Sequence, residues 1–343
     1  MFILQAMKRF CFALTFFALL SFNALSQTRR TNKHVHRPNK IDSAAIFGAS
    51  DDSVSVWEII DTVLARRSPS YRPGGMQERF KLLDKVAADQ RRIMDSLGVQ
   101  VITKADFDDN GLTDMICWLG GTFVVLDEGG GQYRLVPLDE SFGDEAFPVL
   151  HYNNQKAEIL YYNYPGHDFY INYAAFQGTP LKLRMDTLVY YKGAFVEKNT
   201  HPRPYRIEHI HIITSGCMER SCSYDLSIDS TGKAVFVVDG TYEDSSGKGL
   251  SGTYKATISQ STLQDIYCTL CYIDFPRHGG YYRATAPPGS DLGGTTTITY
   301  DGGQTLKIED DGVSTHGWTL VYHQLSELKR NQKWIKADVS SGK

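Results

Sequence analysis

Hydrophobic positions along the chain change period twice. Over residues 51–67 and 76–97 apolar side chains recur at helical spacing, and in the second stretch Phe80, Leu83, Val86, Ile93 and Leu97 share one face. From residue 99 to about 197 the helical period gives way to short apolar runs between turn residues. Segments 99–103, 115–118, 122–126, 132–137, 157–164 and 188–191 read as strands. Glu128-Gly129-Gly130-Gly131 reads as a hairpin turn. It is not a phosphate loop, since no Lys-Ser/Thr and no helix follow it. No internal repeat of propeller-blade length is evident.

The stretch Pro202-Arg203-Pro204 marks the best boundary. Beyond it, 206–214 reads as a strand. Segments 224–229 and 234–238 pair as a hairpin around Ser230-Thr231-Gly232-Lys233, and 252–258 adds another strand. A helix is predicted over 261–271, with Ser and Thr available to cap it. Segments 295–300 and 304–308 form a hairpin through Asp301-Gly302-Gly303. A last helix covers 315–329, with Trp318, Val321, Leu325 and Leu328 on one face. The fold class expected from this pattern is α+β. A β-rich N-terminal domain over 51–203, with helices packed on an antiparallel sheet, precedes a smaller α+β domain over 204–343.

The first 26 residues have the pattern of a secretory signal peptide. Lys8 and Arg9 precede an apolar run over 10–22 that is too short to span a membrane, and Ala24-Leu25-Ser26 supplies small residues for cleavage before Gln27. Met7 is an alternative start, and with no cysteine at the cleavage point a lipoprotein anchor is not expected. No later stretch is long and apolar enough for a transmembrane helix. The expected location is therefore secreted or periplasmic. Residues 27–50 read as a disordered linker, whose first part is basic (Arg29, Arg30, Lys33, Arg37, Lys40) and nearly without apolar residues. The chain of 343 residues has a net charge of −3; without residues 1–26 it keeps 34 basic and 39 acidic residues, a balance of −5. That balance argues against a nucleic-acid partner.

The most specific chemistry lies in Asp106-Phe107-Asp108-Asp109-Asn110-Gly111-Leu112-Thr113-Asp114. Oxygen-bearing side chains stand at loop positions 1, 3, 5 and 9, with glycine at 6, a spacing that folds around one hard cation. An EF-hand would place Glu at position 12, where this chain has Cys117, and its flanks would be helical rather than strand-like. The alternative is an Asp/Asn-rich turn held by its own side-chain-to-backbone bonds. Residues 105–116 resemble the calcium loops of FG-GAP and VCBS-type β-blade repeats, in which such a loop joins two strands. The resemblance implies a structural calcium ion held by the side chains of Asp106, Asp108, Asn110 and Asp114 and by the backbone carbonyl of Leu112.

Cys11 belongs to the signal region, which leaves five cysteines. Cys217 and Cys222 can close a small disulfide loop if the chain is exported. Cys268 and Cys271 form a C-x-x-C. The two pairs could instead build a four-cysteine zinc site, although the second pair falls on a predicted helix rather than a tight turn. The C-x-x-C lacks the preceding strand of a thioredoxin-like unit. Buried free thiols are the plainer reading of Cys117, Cys268 and Cys271. Gly216, Cys217, Cys222, Tyr224, Leu226, Ile228 and Gly232, followed by strand, helix, hairpin and C-terminal helix, resemble the DUF6438 family of uncharacterised exported bacterial proteins. The resemblance spans roughly 206–337 and implies a fold unit without an activity. Ser223 stands where that family commonly has proline, and the cysteine spacing is one residue longer.

His209 and His211 share one strand face and form a possible transition-metal pair, with no third ligand fixed by spacing. Tyr161, Tyr162, Tyr164, Tyr170 and Tyr173, near His167 and Asp168, could make a glycan or peptide platform, though tyrosine is common in strands. No nucleophile elbow, HExxH, Walker loop or dinucleotide fingerprint occurs. The function expected is an exported, non-catalytic binding or envelope-associated protein with structural calcium and an envelope protein or glycan as partner. The alternative is an envelope hydrolase whose site is assembled from distant residues.

Overall fold

The computed structural model describes residues 59–61, 63, 65, 88–118, 121–138, 146–163, 183–215, 223–243, 249–278, 280–282, 293–310 and 315–337. They fall into two compact units, divided between Phe195 and Val196. Residues 1–26, read above as a signal peptide, residues 27–50, read as a linker, and Cys217 and Cys222 lie outside the described residues.

The first unit contains helix α1 (Ala88–Leu97) and strands β1 (Ile102–Ala105), β2 (Asp114–Trp118), β3 (Thr122–Gly129) and β4 (Gln132–Pro137), which pair in chain order as an antiparallel sheet. A second sheet has the order β5 (Phe147–Asn153), β6 (Lys156–Asn163), β7 (Arg184–Tyr191) and β8 (Ala194–Glu197). Alternate residues of β2 and β3 enter two different cores. Ile116, Val124 and Leu126 pack with Phe107, Ile159, Tyr161, Leu188 and Phe195, all residues of this unit. Met115, Cys117, Phe123 and Val125 pack on the other side with Ile60, Val63 and Leu135. Burial on both faces explains why 115–118 is a continuous apolar run rather than an alternating one. Two-residue turns close two of the hairpins. Asn154 and Gln155 take φ of 49° and 69°, and Lys192 and Gly193 take 48° and 94°, as tight hairpins with matching twist require.

The second unit is built on one sheet of eight strands. Its order is β13-β15-β14-β9-β10-β11-β12-β16, formed by β9 (Ile207–Ser215), β10 (Tyr224–Asp229), β11 (Lys233–Glu243), β12 (Gly249–Thr257), β13 (Gly280–Tyr282), β14 (Gly293–Tyr300), β15 (Gln304–Asp310) and β16 (Ile335–Lys336). All pairs are antiparallel except β13 with β15. Ile210, Ile212, Leu226, Ile228, Phe236 and Ile298 from one face join a core with Leu263, Ile266 and Leu270 of α2 (Gln260–Tyr272) and with Trp318, Val321, Leu325 and Leu328 of α3 (His316–Asn331). Both helices start on a side-chain cap: Ser259 accepts Thr262 N–H and Thr315 accepts Trp318 N–H, each at 3.2 Å.

The expected α+β class does not hold. Among the described residues antiparallel sheets dominate, with 50% strand against 24% helix in a few short helices, so the fold is β-rich rather than α+β with helices packed on a sheet. The cause is visible in the first unit, where the sheet formed by β1–β4 packs against apolar residues of β5–β8. Strands 147–153, 194–197, 280–282 and 335–336 were not apparent from periodicity, because they are short or mix polar and apolar residues.

Two local features close the second unit. At the β10–β11 turn Asp229 Oδ1 accepts Thr231 N–H, Thr231 O–H and Lys233 N–H at 2.8, 2.7 and 3.0 Å. Gly232 there has φ of 89°, and a Cβ on it would lie 2.5 Å from the Ile258 carbonyl oxygen. At the start of α3, Glu197 Oε1 and Oε2 accept the N–H groups of His316 and Gly317, each at 2.8 Å. Negative charge is favoured at a helix N-terminus. Burial alone would raise the Glu197 carboxyl, but the His316 ring and the backbone N–H donors outweigh it and hold it at about 2, below its ordinary 4.5.

Gly232→Ala is expected to destabilise the second unit by about 3 kcal/mol, combining left-handed strain with the clash; urea unfolding measures it. Glu197→Gln is expected to cost about 1–2 kcal/mol at neutral pH. Because the folded pKa is depressed, this contribution is present above the unfolded pKa near 4.5 and fades as pH falls toward 2. Unfolding curves of the two proteins should therefore converge in acid.

Candidate metal centre

The loop between β1 and β2 brings the side chains of Asp106, Asp108 and Asp114 together, with one ligand oxygen from each lying within 4.8 Å of the others. Among the described residues this is the only cluster of three groups able to hold a metal ion. Register fixes its frame. Ala105 pairs with Asp114, so the loop's two ends are neighbours across the ladder. Phe107, at the second loop position, is buried in the core and meets Phe195 edge-on with ring centroids 5.7 Å apart.

The chain's own N–H groups hold the carboxylates in place. Asp106 accepts Asn110 N–H at 3.1 Å and Gly111 N–H at 2.8 Å. Asp108 accepts Asn110 N–H at 3.2 Å. Asp114 accepts Phe107 N–H on Oδ2 and Asp127 N–H on Oδ1, both at 2.8 Å. Positive φ at Asp109 (59°) and Gly111 (83°) turns the chain sharply enough for these contacts. Asn110 lies inside the loop. Its Oδ1 accepts Leu112 N–H at 2.7 Å, and its Nδ2 donates to the Asp127 carbonyl at 2.7 Å. The oxygen expected to face a cation is thus engaged by the loop itself. Leu112, expected to offer its carbonyl, is partly exposed.

Asp127 is a site residue that the loop motif does not reveal. It lies 13 residues past Asp114, at the end of β3, and bonds to both Asp114 and Asn110. Its only sequence signal is its place before the glycine turn, where its Oδ1 also accepts Gly129 N–H at 2.8 Å.

The electrostatics of the cluster are unfavourable without a cation. Asp114 is fully buried (0% exposed). Burial, with the charges of Asp108 and Asp106, outweighs its two N–H donors and pushes its carboxyl up to about 6 from 3.8. Asp108 is also raised, first by burial and then by Asp106. The Arg134 guanidinium lowers Asp108 somewhat, but its donors go to Glu128, the Gly193 carbonyl and the Tyr190 hydroxyl at 2.7, 2.7 and 2.6 Å. Lys156 pairs at 2.7 Å with Asp109, outside the triad, and both side chains are largely exposed, where an ion pair stabilises little. Three carboxylates in a half-buried turn are the donor set that suits a hard cation such as calcium. The residues present therefore fit the ion.

Other candidates are dispersed. His209 and His211 have ring centroids 6.2 Å apart and are engaged by β10, with Nε2 atoms 2.7 Å from Ser227 Oγ and 2.8 Å from Asp225 Oδ1. Tyr161 is a core residue whose hydroxyl donates to the Leu138 carbonyl at 3.3 Å; Tyr164, His167, Asp168, Tyr170 and Tyr173 lie outside the described residues. Cys117 is buried, and burial drives its thiol pKa up. Cys268 and Cys271 are only half-buried. Among the described residues no helix is long and apolar enough to cross a membrane. No family model matches the chain, and neither a curated protein nor a solved structure shows significant similarity to it. The reading of the site therefore rests on its geometry.

A dication held at this site would compete with a proton for Asp114. In the metal-free protein the raised carboxyl binds its proton between about pH 4 and 6 when the unfolded chain does not, so its contribution to stability falls as pH rises through 6. Calcium affinity is expected to run the other way and to be about tenfold weaker at pH 5 than at pH 7. Calorimetric titration at the two pH values checks this.

Proposed function

We propose that the protein is an exported, calcium-stabilised, non-catalytic binding protein of the cell envelope. The observation that carries the calcium reading is the triad of Asp106, Asp108 and Asp114, one member fully buried, gathered by a loop whose own N–H groups fix it. A cation relieves the repulsion that gathering three acids creates. The loop's likeness to FG-GAP and VCBS calcium loops supports the same reading. Export is supported by Lys8, Arg9 and the apolar run over 10–22. It would also place the site where calcium is plentiful.

The binding role is supported by the second unit. Ile213, Val235 and Val237 are exposed apolar side chains on β9 and β11. The ladder through β10 sets Ile213 opposite Asp225, and Asp225 opposite Val237. His209, His211 and Ser227 follow on the same sheet face. Apolar side chains ringed by polar ones suit a protein or glycan partner. The DUF6438-like order of this unit agrees with a module of exported proteins.

The test is a thermal melt of residues 27–343 in calcium and in chelator. At calcium a hundredfold above Kd, linkage adds about 2.7 kcal/mol, an upward shift on the order of 5–10 °C in the transition of the first unit. Asp106→Asn keeps a hydrogen-bond acceptor and removes one charge, and it is expected to shrink the shift. Asp106→Ala with Asp114→Ala should abolish it. An unchanged melt at millimolar calcium would reduce the loop to a polar turn and overturn the proposal.

A further inference from the structure

Cys268 and Cys271 occupy the last two turns of α2. Residues three apart on a helix are surface neighbours, with Cβ atoms about 5–6 Å apart. Both thiols are half-buried, not sealed in the core as Cys117 is. Each has a polar neighbour that orients it. Gln264 Nε2 donates to Cys268 Sγ at 3.2 Å, and Tyr205 N–H donates to Cys271 Sγ at 3.3 Å. Cys271 also senses its neighbour, since a charge on Cys268 raises the Cys271 thiol, which burial has already raised.

A disulfide needs Cβ atoms about 3.8 Å apart, so roughly 2 Å must be closed. Just past the pair the backbone already winds more tightly. Asp274 N–H donates to the Cys271 carbonyl at 3.2 Å and Arg277 N–H to the Asp274 carbonyl at 2.9 Å. These are i to i+3 bonds, and a 3-10 helix (Phe275–His278) follows. In 3-10 geometry residues i and i+3 eclipse. Carrying that winding one turn back brings Cys268 and Cys271 into line.

We propose that Cys268 and Cys271 are a reversible dithiol–disulfide pair, closed by exchange with a low-molecular-weight disulfide. The Cys268 thiolate attacks one sulfur of that disulfide, forms a mixed disulfide and expels one thiolate. The Cys271 thiolate then attacks the Cys268 sulfur and expels the second. The pair loses two electrons and two protons, and the small disulfide becomes two thiols. Because closure tightens a regular helix, the bond is strained. Strained disulfides are the easily reduced, regulatory kind rather than structural staples.

Trypsin cleavage after Lys255 and Arg277 releases residues 256–277, which hold Cys268 and Cys271 and no other cysteine. The protein is equilibrated in mixed oxidised and reduced glutathione, free thiols are alkylated, and that peptide is weighed. The expected result is a large fraction lighter by two hydrogens, restored by dithiothreitol. Cys268→Ser is expected to give only alkylated peptide or a single glutathione adduct. Any of three results overturns the proposal: both thiols still alkylated in excess oxidised glutathione, a bond to a peptide carrying Cys217 or Cys222, or thiols shielded until a chelator is added. Should the variant fail to fold, the unsubstituted peptide alone decides.

Discussion

Asp114 accepts Phe107 N–H on one carboxylate oxygen and Asp127 N–H on the other. Through these two bonds a single side chain joins the start of the loop to the far end of β3. Phe107 is in turn fixed in the core, and β2 begins at Asp114 itself. The geometry of the turn and the pairing of three strands thus depend on one buried carboxyl. The arrangement works against itself electrostatically, because the same turn draws in Asp106 and Asp108. Hydrogen bonds define where the three groups sit, and repulsion defines what they need.

The second unit solves a different problem. Its eight-stranded sheet buries one face under two helices, and both helix starts must be satisfied. Ser259 and Thr315 do this locally, while Glu197 does it from 119 residues away by accepting the first N–H groups of α3. Gly232 lets the β10–β11 turn come so close to Ile258 that no side chain fits. These contacts are short-ranged and depend on residue identity, whereas the core tolerates apolar exchange.

Much of this was legible in the sequence wherever one residue type has one use. The acidic loop, the Asp301-Gly302-Gly303 hairpin and the face of Trp318, Val321, Leu325 and Leu328 are written in spacing alone. The fold class was not. Periodicity reports how a segment is buried but not what buries it, so the strand-against-strand packing of the first unit leaves the same pattern as helices on a sheet. Asp127 was hidden for a related reason. A residue that serves a loop through its backbone leaves no side-chain signature, and its partner Asp114 is distant in sequence. Glu197 gave no signal either, since a long-range cap looks like any surface acid.

Cys117 stands three residues after Asp114 on β2, fully buried between Ile102 and Phe123 across its two ladders. If the chain is exported and loses Cys11 as proposed, five cysteines remain, an odd number. In oxidising surroundings an odd thiol is a source of wrong pairings, and here the folded sheet withholds Cys117. The strand that begins at the acidic turn therefore also works as a safety catch. Whatever loosens the turn frees the start of β2, and with it a thiol that the folded sheet keeps sealed. Unfolding of the first unit would then be followed by miscrosslinking rather than by clean refolding, so the turn guards reversibility as much as stability.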